Sequence, residues 1–117
     1  MEHIKILTLK NFTPEVRNEY SRISTSSADI NQYVPGLVLQ DPQDQKKIEK
    51  IFKEAIVCAV YSDDGKIAGL IHAIREKSLF GFSGLNVAAF LAKKYRHKGL
   101  MNLAMKEFIL IIFLTYT

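Results

Sequence analysis

The stretch AIVCAVYSDDGKIAGLIHAI, residues 55–74, decides the fold. Two runs rich in β-forming residues, 55–62 and 66–74, lie on either side of Asp63, Asp64 and Gly65. Strand-like runs around an Asp-Gly pair are the pattern of a β-hairpin with a tight turn. After a glycine-containing connection, LNVAAFLA (85–92) predicts a further strand. The centre of the chain therefore predicts an antiparallel meander of three strands.

Upstream of the hairpin, the sequence predicts one strand and two helices. HIKILTL (3–9) alternates well enough for a first strand. Thr13 followed by Pro14 is typical of a helix start, with the threonine as N-cap. A second helix is predicted to begin at Asp41 and Pro42. Its apolar positions are Ile48, Ile51 and Phe52.

Downstream of the meander, a basic segment precedes a helix-like pattern and an apolar run. The segment is KKYRHKGLMN (93–102). The apolar face of the predicted helix comprises Leu100, Leu103, Ala104, Met105 and Phe108. ILIIFLTY (109–116) carries no charge and is predicted as a short buried strand. It would lie parallel to the third meander strand, because a helix connects the two.

The order β-α-α-β-β-β-α-β predicts a single mixed α/β (α+β) domain over residues 1–117, with a mainly antiparallel sheet flanked by helices. The chain has 16 Lys and Arg against 12 Asp and Glu, a formal charge of +4, which is too small an excess to indicate a nucleic-acid-binding protein by itself. Cys58 is the only cysteine, so an internal disulfide is excluded and a reducing compartment is favoured. Its apolar neighbours predict a buried structural thiol.

Neither end of the sequence predicts a membrane segment. MEHIKILTLK carries charges where a secretion signal has an apolar stretch. The apolar run FILIIFLTYT is about half as long as the roughly 20 residues that span a bilayer. We therefore expect a cytoplasmic protein without membrane association. An apolar strand at 109–116 would form an open edge, so we also expect either a homodimer in which a partner covers that strand or a truncated chain of poor solubility.

The basic segment has two interpretations when it is taken alone. A helix N-terminus presents unpaired backbone N–H groups and a partial positive charge, so it attracts anions. Gly99 would let a phosphate approach the backbone, and Arg96, His97 and Lys98 would add positive charge. The alternative is a solvated charged turn with no ligand.

The residues Arg96-His97-Lys98-Gly99-Leu100-Met101 resemble the cofactor loop of the GNAT superfamily of N-acetyltransferases, whose signature is Q/R-x-x-G-x-G/A between the fourth strand and third helix. The predicted order of elements is similar to that family over nearly the whole chain, which would be C-terminally short of the family's last helix and strands. The resemblance implies acetyl-CoA as co-substrate, with a small-molecule or peptide amine as acceptor. The cofactor-binding residues that it implies are Phe90, Leu91, Arg96, His97, Lys98, Gly99, Leu100, Met101 and Asn102.

Acetyl transfer also needs a group that removes a proton from the amine. Residues 78–92 contain no Asp or Glu, which leaves His72 and Glu76 as weak candidates for that role. His72 lies in an apolar strand, where a histidine is more often structural, and Glu76 lies between two basic residues, where a surface charge is the simpler interpretation. No metal site is predicted.

Three functions therefore remain open. The first is an acyl-CoA-dependent N-acyltransferase of GNAT type. The second is a regulatory protein that binds CoA on a GNAT-like fold without catalysis. The third is a small basic nucleic-acid-binding domain. It is ranked last, because only Tyr95 is interleaved with the charges and no aromatic series accompanies it.

Overall fold

The computed structural model describes residues 3–26, 35–77, 83–96 and 99–116. These residues form a four-stranded antiparallel sheet with three α-helices packed on it, so the predicted mixed α+β class is confirmed. The elements are β1 (Ile4–Leu7), α1 (Pro14–Thr25), α2 (Gln45–Glu54), β2 (Ala55–Tyr61), β3 (Ile67–Lys77), β4 (Ser83–Leu91) and α3 (Leu100–Tyr116). Short 3-10 turns span Pro35–Leu37 and Lys93–Tyr95.

The central hairpin and the three-strand meander are confirmed. The sheet order is β1-β2-β3-β4, and Val57 lies opposite His72 in the hairpin. Gly65 has a φ of 79°, a left-handed conformation that glycine adopts without strain. The Ser62 N–H donates to the Lys66 carbonyl over 2.9 Å, which closes the turn. The Asp-Gly pair therefore sets the hairpin as the sequence predicted.

The first helix begins as predicted, and the second begins later. Thr13 caps α1, its hydroxyl accepting a hydrogen bond from the Val16 N–H. The predicted start of the second helix at Asp41 is wrong, because the carboxylate of Asp41 accepts from the Gln43 N–H and holds a separate turn. Asp44 is the residue that caps α2, accepting from the Lys47 N–H.

The predicted final strand is wrong. Residues 109–116 continue α3, which is one unbroken helix from Leu100 to Tyr116. A short apolar run does not distinguish a buried strand from a helix by its periodicity, and here Ala104 and Phe108 continue a helical spacing into the run and are buried against the sheet. The predicted parallel crossover is wrong with it, since the described strands pair only antiparallel. Leu103, predicted on the buried face, is 48% exposed.

Alternating side chains of the sheet divide the core into two clusters. On one face, Val57 and Leu70 pack with buried residues of α1 and α2. On the opposite face, Cys58 and Ile71 pack with buried residues of α3. Cys58 is fully buried, and burial raises the pKa of its thiol to about 12, as expected for a structural thiol. In the described part of the chain, α3 and the other helices all fall short of the length and apolarity that crossing a membrane requires.

Candidate functional site

The join between β4 and α3 runs close to the turn of the hairpin. Ala92 donates its N–H to the Ala68 carbonyl over 2.7 Å, and the 3-10 turn Lys93–Tyr95 follows. Tyr95 is buried at 8% exposure, and its hydroxyl donates to Asp64 in the hairpin turn. The Ser62 hydroxyl and the Lys66 N–H also bind Asp64 and hold the pKa of that carboxyl below its usual range. The join is therefore fixed to the turn of the central hairpin.

Gly99 introduces α3 in a conformation suited to a close backbone approach. Its φ is 75°, and a Cβ added there would meet nothing within 4 Å. The Leu103 N–H donates to the Gly99 carbonyl over 3.3 Å, forming the first bond of the helix. The backbone N–H groups of Leu100, Met101 and Asn102 precede that bond and have no helical acceptor. Open space therefore lies beside donors that have no acceptor among the described residues.

Arg96, a residue of the predicted site, and Lys94, which lies in the same basic segment, are both exposed before this helix. The Arg96 Nε donates to the Leu91 carbonyl over 3.0 Å. Its two terminal nitrogens have no protein partner among the described residues, so they are available to an anion. The Lys94 ammonium lies over the Tyr95 ring, 4.8 Å from its centroid. The predicted residues His97 and Lys98 lie outside the described residues.

Phe90 and Leu91 end the strand as predicted, but their side chains enter different clusters. Phe90 packs on the face covered by α1 and α2, and Leu91 packs on the α3 face. What they share is the backbone of β4, which pairs with β3 on one side and with no other described strand. An edge strand directs half of its N–H and C=O groups away from the sheet, where they can pair with an extended ligand. A Cβ at Gly69 would lie 2.1 Å from the Phe90 carbonyl oxygen, so glycine is needed there for β3 and β4 to meet.

The two candidate bases are not brought to the join. His72 has no exposed surface, and its Nε2 lies 2.7 Å from the hydroxyl of Tyr20. That hydroxyl donates its proton to the Leu37 carbonyl over 2.7 Å. The Nε2 must then be the donor to Tyr20, which leaves Nδ1 unprotonated and without a partner among the described residues. Burial lowers the pKa of His72 to about 4, so the ring is a neutral core residue. Glu76 lies in β3 opposite Gly84, and its side chain is outside the described part.

Sequence reasoning missed a cleft of about 650 Å³ on the other side of the join. We call it the α1 cleft; charged and aromatic residues of three segments line it, among them Glu15, Glu19, Arg22, Lys66, Lys94 and Tyr95. The i, i+4 spacing of Glu15 and Glu19 was the only sign of it in the sequence. No group of His, Cys, Asp and Glu in the described part of the chain is arranged to hold a metal ion.

A third feature joins the first strand to the last helix. The backbone N–H of His3 donates to both carboxylate oxygens of Glu107, each over 3.0 Å. The His3 ring lies 3.3 Å from the carboxylate of Asp63 in the hairpin turn. These contacts fix α3 against β1 and the turn, and thus fix the direction in which its N-terminus points.

The comparisons with known proteins bear on the fold. No protein-family model matches the chain, and no curated protein matches it. Two crystal structures of the BH1408 protein from Bacillus halodurans resemble it. A tetramutant is 14% identical, with a TM-score of 0.53, over 93% of this chain and 74% of that one. A single-site mutant is 15% identical, with a TM-score of 0.53, over 92% of this chain and 73% of that one. At this identity the likeness concerns the fold alone.

Proposed function

We propose that the protein is an acyl-CoA-dependent N-acyltransferase of GNAT type, which moves an acetyl group from acetyl-CoA to a primary amine. One observation carries the proposal. Gly99, at a φ of 75°, begins α3 a short connection after β4, and β4 pairs on its outer side with no other described strand. A helix end of this kind binds phosphate, and an edge strand binds an extended chain. CoA offers both, as a pyrophosphate and an amide-containing pantetheine arm.

Different residues would bind the pyrophosphate and the pantetheine arm of CoA. The N–H groups of Leu100, Met101 and Asn102 would donate to the pyrophosphate, and the free nitrogens of Arg96 would add a charged donor fork. On the outer side of β4, the Leu91 N–H would pair with a pantetheine carbonyl, because the Leu91 carbonyl accepts from Arg96 and the Phe90 carbonyl faces Gly69 of β3. An N–H at the end of the strand would then stabilise the oxyanion that forms when the amine attacks the thioester carbonyl. The C–N bond forms, the C–S bond breaks to release the CoA thiolate, and the proton lost by the nitrogen passes to that thiolate or to solvent water.

A second candidate function is a CoA-binding protein without catalysis on the same fold. The burial of His72 favours it, because the one histidine that sequence reasoning offered as a base is sealed in the core. An amine with a lowered pKa would still react without a protein base, so turnover separates the two candidates. Nucleic-acid binding is disfavoured, because Tyr95 is the only aromatic residue among the basic ones. It is 8% exposed and covered by Lys94, so a base cannot stack on it.

Calorimetric titration of acetyl-CoA tests the proposed site. Gly99→Asp and Gly99→Asn form a matched pair, because both add a side chain of the same shape in open space and both residues tolerate a left-handed backbone. They differ in charge alone. We expect the aspartate to repel the pyrophosphate and to weaken binding at least about tenfold relative to the asparagine, a difference of about 1.4 kcal/mol.

Equal binding by the two variants would contradict a phosphate site at Gly99. Gly65→Asp is the control for the strain of a substitution at positive φ, since Gly65 has a φ of 79° and open space as well. Release of free CoA thiol with a panel of primary amines, measured on the wild type, decides between transferase and CoA-binding protein. Binding without release would establish the second candidate.

A further inference from the structure

The α1 cleft has walls of opposite charge that do not meet. Glu15 and Glu19 stand one helical turn apart on α1 and form one wall. Lys66 from the hairpin and Lys94 from the 3-10 turn line the cleft from two other segments and form its basic wall. Among the described residues no ion pair joins these walls, and the only ion pair within the cleft links Arg22 to Glu19 over 2.5 Å. Opposite charges from separate segments thus line one cleft without pairing with each other.

The walls are held in place by their own local structure. The Lys66 N–H donates to the Asp64 carboxylate, and its carbonyl accepts from the Ser62 N–H. The turn therefore fixes the position of the Lys66 backbone. Lys94 rests on the ring of Tyr95, which is buried. The hydrogen bond from Arg22 to Glu19 raises the pKa of the arginine, so this pair is ionised but has no net charge, and Glu15 supplies the net negative charge of the acidic wall. Glu15 has no ion-pair partner among the described residues.

From this geometry we infer that the α1 cleft binds a small zwitterion, a free α-amino acid or a short peptide. Its ammonium group would lie against Glu15 and Glu19, and its carboxylate against Lys66 and Lys94. Tyr61 and Val16, both half-buried, supply aromatic and apolar surface between the walls. The volume of about 650 Å³ is in the range of small-molecule sites and accommodates an amino acid with its side chain.

A charge-matching experiment tests this inference. Amide ¹⁵N–¹H NMR shifts are followed during titration with free leucine, N-acetyl-leucine, leucine amide and triglycine. We expect saturable shifts at the cleft segments of α1 and the hairpin turn for leucine or for triglycine, and binding at least about tenfold weaker when either charge is blocked. Leucine has its two charges close together and triglycine has them far apart, so the tighter ligand distinguishes an amino acid from a peptide.

Two variants, each of which removes one charge, assign the walls. Glu15→Gln should weaken leucine and leucine amide but leave N-acetyl-leucine unchanged, whereas Lys66→Gln should weaken leucine and N-acetyl-leucine but leave leucine amide unchanged. Glu49→Gln and Lys50→Gln, both on the exposed side of α2, are the matched controls and should change none of them. Equal binding of free and blocked leucine overturns the inference. The absence of saturable shifts at the cleft with all four ligands overturns it too.

The inference is independent of the proposed CoA site. The titrations contain no acetyl-CoA, and the variants lie outside the residues proposed to bind it. A protein that binds leucine but not acetyl-CoA would refute the proposed function and leave the cleft assignment standing. The converse result would do the opposite.

Discussion

On one face of the sheet, α1 and α2 bury Tyr20, Ile23 and Ile51 to 1% exposure, and the outer sides of both helices carry charges. On the opposite face α3 lies alone among the described elements. It buries Ala104 and Phe108, but its outer side carries Leu110 at 58% exposure and Leu114 at 72%.

The difference lies in how the sequence specifies an outer side. In α2 the apolar residues follow one helical stripe, so both the buried and the solvated side are determined. In α3 the run after Glu107 is apolar in every direction, so burial is decided by tertiary contacts with the sheet and not by pattern. The sequence pattern thus specifies which side of α2 is buried, whereas the buried side of α3 is specified by its packing on the sheet.

The largest expected effect contrasts two residues of α3. Phe108 is 2% exposed, and Phe108→Ala should reduce the free energy of unfolding by about 3–5 kcal/mol because it leaves a cavity under the helix. Leu110→Ala, on the outer side, should change it by no more than about 0.5 kcal/mol. Urea denaturation measures both.

A loss of about 2 kcal/mol or more for Leu110→Ala would break the comparison, since it would mean that the outer side is buried in solution. The unfolding midpoint would then rise with protein concentration if a second copy covers it. Such a concentration dependence would support the predicted homodimer, with the outer side of α3 as its interface in place of the predicted strand edge.

The next effect concerns the face covered by α1 and α2. The pKa of His72 falls from 6.5 in the unfolded chain to about 4 in the folded protein. Between those values the unfolded chain binds the extra proton, so stability is complete above pH 6.5 and is lost as the pH falls towards 4. The loss should reach about 3 kcal/mol, measured by urea denaturation across that range.

His72→Gln provides the control, because the glutamine amide can still donate to the Tyr20 hydroxyl but does not titrate. Its pH profile should be flatter than that of the wild type by this amount. Parallel profiles would mean that His72 is solvated in the folded protein and that this face is less closed than the structure indicates.

The smallest effect is that of one hydroxyl. Tyr20→Phe removes the donor to the Leu37 carbonyl and the acceptor for His72, leaving two buried polar groups unpaired. The expected loss is about 1–3 kcal/mol. Tyr61→Phe, whose hydroxyl has no protein partner among the described residues, should stay within about 0.5 kcal/mol. Equal losses of stability for the two variants would mean that the hydrogen bonds of the Tyr20 hydroxyl to Leu37 and His72 do not stabilise the protein.

Much of the fold was readable from local chemistry. The hairpin followed from the Asp-Gly pair between β-rich runs, and the start of α1 followed from Thr13 and Pro14. Asp41 misled because an aspartate that holds a turn and one that caps a helix look alike in sequence. The run at 109–116 misled because its lack of alternation fits a buried strand as well as a helix.

The site was readable in a similar way where it is local. A glycine before a helix predicted the open backbone at Gly99, and the structure gives it a positive φ. The bond from Arg96 to the end of β4 depends on the path of the chain, which a pattern does not contain. The α1 cleft brings together Glu15, Lys66 and Lys94 from distant segments, and only the folded topology makes them neighbours.

The bond between the His3 N–H and Glu107 has a consequence for how the chain is made. The two residues are 104 positions apart, so β1 leaves the ribosome long before its partner on α3 exists. At about 5–20 residues per second, the wait is on the order of 5–20 s. During that interval the hairpin already has its local partners, but β1 cannot be anchored to α3. β1 can therefore pair with β2 well before it gains its contact with α3.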